Sequence, residues 1–306
     1  MISPMPPVIS VQNLRKTYGK TVAVVDISFE VAEGEIFGLL GPNGAGKTTT
    51  VECLQALRRP DSGHIRVLGL DPLTEAQALR RRIGSQLQES ALPDRIKVWE
   101  ALDLFASLAP EPLDWRVLIE QWGLAEKRKA GFSSLSGGQR QRLFIALALV
   151  NNPKVVFLDE MTAGLDPAAR RVAWDLIRAI RDRGSTVVLV THFMDEAENL
   201  CDRVAVVDRG RIVASDTPRG LIARHTSEVR VIFSTDVADL AFLENVPGVT
   251  AVTKRGPRVE VEGSGPVLAL VAAALVGHGI IPADLSVEQP SLEDVFLKLT
   301  GHTVGE

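Results

Sequence analysis

The chain has 306 residues, 45% of them hydrophobic and 24% charged, with a formal net charge of −4. That length allows two domains with real cores. The weakly acidic balance excludes a nucleic-acid binder held by a broad basic face, and no run of about 20 apolar residues is present to cross a bilayer as a helix.

Met1 to Pro7 is proline-rich, lacks a basic-then-apolar signal pattern and reads as a disordered lead-in. Val8-Ile9-Ser10-Val11 alternates as a strand, and Asn13 to Lys20 reads as a polar connection. Val22 to Val31 is a second strand, closed by Glu33-Gly34. Tyr18, the single tyrosine, is either a half-buried loop aromatic or a flat ring on which a nucleotide base could stack. Cys53 and Cys201 are too few for a disulfide framework and read as buried free thiols in a reducing compartment.

The strongest signal is Gly41-Pro42-Asn43-Gly44-Ala45-Gly46-Lys47-Thr48-Thr49, set between the apolar run Glu35 to Leu40 and a helix-like run from Thr50 to Leu57. G-x-x-x-x-G-K-T between strand and helix is a phosphate loop. Its glycines turn the backbone and leave bare N–H groups for a phosphate chain. Lys47 supplies charge for the β- and γ-phosphates, Thr48 a hydroxyl for Mg²⁺, and the helix turns its positive end to the anion.

A turn and strand follow over 61–69, then a helix from Thr74 ending in Arg80-Arg81-Arg82, a solvated charge run. Ile83 to Gln88 is strand-like and carries Gln86 and Gln88. From Val98 to Val150 the pattern is helical, with Trp99, Leu102, Phe105 and Leu108 expected on one face. Leu135-Ser136-Gly137-Gly138-Gln139 opens the last of these helices. Ser136 is a natural N-cap and the glycines leave amides accessible, so the pentapeptide is either a simple cap or a second anion-binding helix end.

Val155-Val156-Phe157-Leu158-Asp159-Glu160 reads as a buried parallel strand that delivers two carboxylates at its C-terminal end, where α/β sheets place ligands. Asp159 suits Mg²⁺ and Glu160 suits polarising a water. Ala163-Gly164-Leu165-Asp166-Pro167 turns into a helix over 168–183, with Val172, Leu176 and Ile180 expected on one side. Thr186 to Val190 is another buried strand, with His192 just past its end. A short helix over 195–201 and a hairpin around Asp208-Arg209-Gly210-Arg211 complete this part.

From about Ile222 the order is strand, helix (Val237 to Asn245), strand, strand, helix (Val267 to Val276), strand, which is the split βαβ, ferredoxin-like arrangement. A closing helix starts at the N-cap Ser291. No catalytic constellation stands out there, so a regulatory, docking or dimer-supporting role is expected.

Together these stretches resemble the ATP-binding subunit of an ATP-binding cassette (ABC) transporter. Seven motifs stand in the family's order: an A-loop aromatic (Tyr18), Walker A (Gly41 to Thr48), a Q-loop glutamine (Gln88), the signature (Leu135 to Gln139), Walker B (Val155 to Asp159) with Glu160, a D-loop (Ala163 to Asp166) and an H-loop (His192). Met161 stands where the family usually has proline, and Gln86 competes with Gln88 as the Q-loop residue. The resemblance implies an α/β P-loop NTPase core with an antiparallel β part over 8–221, a helical subdomain at about 89–150, and an accessory α+β domain over 222–306. The tail, ending in Leu292 to Gly301, resembles that of the daunorubicin-exporter-like subfamily.

The same resemblance implies roles for individual residues. ATP would lie against Tyr18, Gly41, Asn43, Gly44, Gly46, Lys47, Thr48 and Thr49, with Mg²⁺ on Thr48, Gln88 and Asp159. Glu160 would be the general base and His192 would contact the γ-phosphate. Ser136, Gly137, Gly138, Gln139 and Asp166 would act on ATP held by a second copy, in a head-to-tail dimer. The expected output is efflux of a drug-like, lipid or polysaccharide cargo through a separate integral-membrane subunit. The chain itself would be cytoplasmic and peripheral on the inner face of the membrane. A soluble cassette ATPase of DNA repair or translation, an importer motor and a regulatory module without turnover are the alternatives.

Overall fold

The computed structural model describes residues 6–86, 91–163, 165–226 and 229–301. It divides between Pro218 and Arg219 into two compact units.

The first unit opens with β1 (Ile9–Tyr18), β2 (Thr21–Val31), β3 (Ile36–Leu40), α1 (Lys47–Leu54), β4 (Ser62–Val67), α2 (Ala76–Arg80) and β5 (Ile83–Gln86). Three helices follow: α3 (Val98–Ser107), α4 (Trp115–Gln121) and α5 (Gly137–Leu149). The remainder is β6 (Val155–Asp159), α6 (Pro167–Asp182), β7 (Thr186–Thr191), α7 (Met194–Leu200), β8 (Arg203–Asp208), β9 (Arg211–Asp216) and the start of α8 (Pro218–His225).

Nine strands form one sheet in the order β4-β1-β2-β9-β8-β3-β7-β6-β5. The β4-β1-β2 end is antiparallel, whereas β3, β5, β6, β7 and β8 run parallel. Every residue of β3, β6 and β7 is buried, which is why these strands read as unbroken apolar runs. Their C-terminal ends therefore lie side by side and carry the phosphate loop, Asp159-Glu160 and His192.

Three sequence expectations change here. Asn13 to Lys20 is no mere connection, because β1 continues to Tyr18 through irregularities beginning at Asn13, whose φ is +50°. These bulges keep Leu14 fully buried, as Ile9 and Val11 are, while Asn13, Arg15 and Tyr18 are exposed. The buried face of α3 is Val98, Ala101, Leu102 and Ala106, and Phe105 and Leu108 are exposed. Steps of three residues fall about 60° short of a turn, so a chain of three such steps walks half-way round the helix. On α6, Ala173, Ile177 and Ile180 are buried and Val172 is exposed: steps of four overshoot a turn by about 40°, so Val172 stands about 80° round the helix from Ile180.

The second unit contains the rest of α8, then β10 (Val229–Ser234), β11 (Val249–Arg255), β12 (Arg258–Gly263), α9 (Val267–Gly277), β13 (Ser286–Glu288) and α10 (Leu292–Thr300). Its sheet order, β11-β12-β10-β13, is the ferredoxin-like one. Val231, Phe233, Val259 and Val261 on one face of the sheet share a core with Val267, Val271 and Leu275 of α9. The first helix of the pattern is only a 3₁₀ turn, Ala241–Asn245, closed by bonds from Leu243 and Val246. Pro247-Gly248, with Gly248 at φ +88°, ends it before a second helical turn forms.

Among the described residues, no helix is long and apolar enough to cross a membrane. Both cysteines are buried and free.

Candidate nucleotide-binding site

A cleft of about 400 Å³ opens between the end of β1 and the β3–α1 turn. It is lined by Tyr18, Ala23, Asn43, Gly44, Gly46, Lys47, Thr48, Thr49 and Glu160. Residues far apart in sequence thus meet because β3 lies between β8 and β7, and β7 in turn pairs with β6.

The loop can be built only with glycine at two points. Gly46 has φ +103°, and a Cβ there would come 2.4 Å from the carbonyl oxygen of Ala23. At Gly41, with φ +158°, a Cβ would come 2.2 Å from the carbonyl oxygen of Val207. Gly46 is also the N-cap of α1 and offers no side-chain cap, so the first amides of the helix stay available to an anion. We expect Gly46→Ala to cost roughly 1–3 kcal/mol of stability through left-handed strain and the carbonyl clash. It should also weaken ATP binding. A thermal-shift and nucleotide titration pair checks both, and wild-type values for the two would contradict the packing argument.

Lys47 is 4% exposed, and its Nζ donates to the carbonyl oxygens of Gly41 at 2.8 Å and Pro42 at 2.9 Å. Burial pushes its pKa down, against the opposing pull of Glu160 and Asp159. Asp159 is 1% exposed at the end of β6. Burial raises its pKa to about 6, with a bond from Thr48 pulling the other way and Glu160 adding repulsion. Its Oδ1 is buried without a hydrogen-bond partner among the described residues. Thr48, Asp159 and Lys47 thus form a desolvated polar group in which one carboxylate oxygen is still unmatched. Such a group is costly to bury unless a charged ligand completes it.

Glu160 follows with φ +48°, and its N–H donates to Val190 O at 2.9 Å. That left-handed turn swings its carboxylate into the cleft. His192, one residue past β7, places Nδ1 3.3 Å from Glu160 Oε1. Tyr18 is 39% exposed at the cleft edge, with Lys16 Nζ and Arg58 Cζ about 5.5 and 5.6 Å from its ring centroid. These cations hold the ring electrostatically. Neither was singled out from the sequence, where they look like ordinary surface charges.

The other predicted site residues lie elsewhere in the chain. Ser136 caps α5, accepting from Gln139 N at 3.4 Å while Gln139 Oε1 accepts from Ser136 N at 3.0 Å. At Gly137 and Gly138 an added Cβ would meet nothing within 4 Å. Asp166 caps α6, accepting from Ala168 N and Ala169 N, both at 2.9 Å. Gln86 ends β5 and is buried, while Gln88, Gly164 and Met1 to Met5 lie outside the described residues. Met161 is 1% exposed, and its carbonyl accepts from Gln141 of α5, a link the sequence did not signal.

Residues 24–163 match the family described as ABC transporter. Over 302 residues the chain is 39% identical to Nod factor export ATP-binding protein I of Mesorhizobium japonicum (strain LMG 29417 / CECT 9101 / MAFF 303099), an alignment that covers 95% of this chain and 86% of that protein. It is 38% identical over 304 residues to daunorubicin resistance ATP-binding protein DrrA3 of Streptomyces coeruleorubidus, covering 96% of each. Among solved structures, cbiO1 from Clostridium perfringens, part of the ABC transporter complex cbiONQ, aligns with a TM-score of 0.65 at 28% identity, over 71% of this chain and 91% of that one. The dimeric structure of MJ0796, a bacterial ABC transporter cassette, aligns with a TM-score of 0.61 at 26% identity, over 68% and 98%. The chain belongs to the ABC transporter family, as an ATP-binding subunit. It is a P-loop cassette ATPase, the kind of subunit that couples ATP hydrolysis to transport.

Proposed function

We propose that this chain is the motor of an exporter and that two copies close head to tail over ATP. The observation that carries the dimer is the division of the site. The cleft holds Lys47, Thr48 and Glu160, while Ser136 to Gln139 do not line it. Gly137 and Gly138 have open space around them, so no contact among the described residues demands glycine there. A surface that must admit another body does demand it. The dimeric cassette with which the chain aligns supports pairing of this kind.

The residues present fit ATP with Mg²⁺. Thr48 and the unmatched Asp159 oxygen, with Gln88, would hold the ion, and Lys47 and the loop amides would bear phosphate charge. Bound Mg²⁺ would neutralise charge on the phosphates. Tyr18 stacks the base. Glu160 orients and deprotonates a water, and His192 steadies that carboxylate and reaches the γ-phosphate. Asp166, at the start of α6, acts at the dimer seam.

The partner is an integral-membrane subunit, to which the chain binds peripherally at the cytoplasmic face. Its docking place is a groove of about 780 Å³ between α2, β5, α3 and α5. Phe105, Leu108, Phe144 and Leu147 make its apolar wall, and Arg80 and Arg81 its basic rim. Leu108 is 75% exposed, an unusual cost for a surface that stays bare. The occupant is a short amphipathic helix from a cytosolic loop of the membrane subunit. Relatives named for Nod factor export and daunorubicin resistance support outward transport, with a drug-like, lipid or polysaccharide cargo. Affinity purification from native membranes tests this reading. A multi-span subunit should copurify, and Leu108→Glu should remove most of it without lowering basal ATPase activity. A DNA-repair or ribosomal partner would overturn the proposal.

A further inference from the structure

Glu196 is 0% exposed, yet it takes no part in the scheme above. It lies on α7, one helical turn past His192. Thr191, Thr162 and the indole of Trp174 turn their polar groups toward its carboxylate. These approaches are looser than full hydrogen bonds: both Glu196 oxygens, Thr162 Oγ1 and Trp174 Nε1 are buried without a closed bond among the described residues. The Thr191 hydroxyl accepts from Phe193 N at 3.0 Å, which leaves its proton to donate. Arg170 is the nearby cation; its guanidinium meets Asp195 at 3.4 Å and the face of Phe193 at 4.1 Å, and its Nε is buried without a closed bond among the described residues. Burial pushes the Glu196 carboxyl above its usual range.

An acid in this setting is an expensive way to fill space. Apolar side chains of similar volume replace buried charged groups at no cost to stability in many proteins. What the carboxylate touches is therefore informative. The β6–β7 ladder ends at Asp159 opposite Val190, and the Glu160 N–H to Val190 O bond is the next link. Beyond it the two chains leave the sheet, one through the left-handed turn at Glu160, the other toward α7. Thr162 follows closely on Glu160, and Thr191 directly precedes His192. The Glu196 carboxylate sits between those two hydroxyls, just where the ladder stops.

We propose that Glu196 is a positioning residue for hydrolysis: set between the Thr162 and Thr191 hydroxyls, it holds the ends of β6 and β7 at the spacing that sets His192 against Glu160. The inference rests on the roles given above to Glu160 and His192. Glu196 does not itself line the ATP cleft, so it governs turnover rather than affinity.

The test is ATP turnover of the full-length chain carrying Glu196→Met, with Glu160→Gln as reference. The kcat should fall about 10- to 100-fold, the scale of a small misplacement at a reacting centre, with KM for ATP within about twofold and Tm at or above wild type. Glu196→Gln, which keeps a polar group between the two hydroxyls, should restore most of kcat. In a His192→Ala background Glu196→Met should cost less than about twofold, since the pair it positions is already broken. Near-normal kcat in Glu196→Met while Glu160→Gln is impaired would overturn this inference alone. A joint loss of kcat, affinity and Tm would do the same, by showing a structural role. Full turnover in Glu160→Gln would overturn the site reading and this inference with it. If Glu196→Met is insoluble, Thr162→Val and Thr191→Val decide: each should lower kcat about threefold to tenfold at unchanged KM, and normal kcat in both would overturn the proposal.

Discussion

Glu160→Gln should bind ATP as wild type does and turn it over about 10²–10⁴-fold more slowly, the range for loss of a general base. That corresponds to roughly 3–5 kcal/mol of barrier. The effect is expected to be large because the other nearby carboxylate is poorly suited to the task. Glu160 lines the cleft together with Lys47 and Thr48, whereas Asp159 is 1% exposed with its pKa raised to about 6. The glutamine keeps the shape and the contact with His192 Nδ1 but cannot take a proton. With hydrolysis stopped, ATP stays as the bridge between copies. The variant should therefore elute as an ATP-dependent dimer on gel filtration, whereas the wild type should return to monomer as ATP is consumed. Turnover within a fewfold of wild type would remove Glu160 from the role.

The second expected result concerns the divided site. Ser136→Arg should abolish turnover by blocking the mouth of α5, and Lys47→Ala should abolish it by removing the phosphate-facing charge. Mixed at equal amounts, the two inactive chains should regain about a quarter of the wild-type rate, because half of the dimers are mixed and one of the two sites in each is then whole. The physical basis is that Ser136 and Lys47 need not come from one chain. Ser136 is free to act outward, since its capping box with Gln139 is local to α5. No recovery at any ratio would mean that each chain completes its own site, against the head-to-tail reading.

Some of this was legible without coordinates because it is local. The phosphate loop is a matter of spacing: glycines, a lysine and a threonine at fixed intervals, with an apolar strand before and a helix after. The acids at Asp159-Glu160 end a run too apolar to be anything but a buried strand, and the ferredoxin-like order shows in successive short elements. These signals survive because hydrogen bonding and side-chain period within a few residues decide them.

Where period meets packing, sequence alone misplaced the detail. Phe105 and Leu108 were expected on one face with Leu102, and Val172 on one side with Ile180, yet Leu102 and Ile180 are buried and the other three exposed, since hydrophobicity marks a residue as buriable but not which neighbour will cover it. The extent of β1 through the bulge at Asn13 depends on β2 and β4 on either side of it.

By itself, then, the sequence determined that the chain holds a phosphate loop, a carboxylate-bearing strand end and a second α+β unit. The tertiary structure alone decided that β3, β6 and β7 lie adjacent, so that Lys47 and Glu160 share a cleft and His192 comes 3.3 Å from Glu160. It also decided that Ser136 and Asp166 cap helices outside that cleft, and that a fully buried Glu196 lies behind the hydrolytic pair. The reason is strand order. Parallel strands joined by long crossovers are placed by long-range packing, and no local pattern encodes which strand will be the neighbour of which.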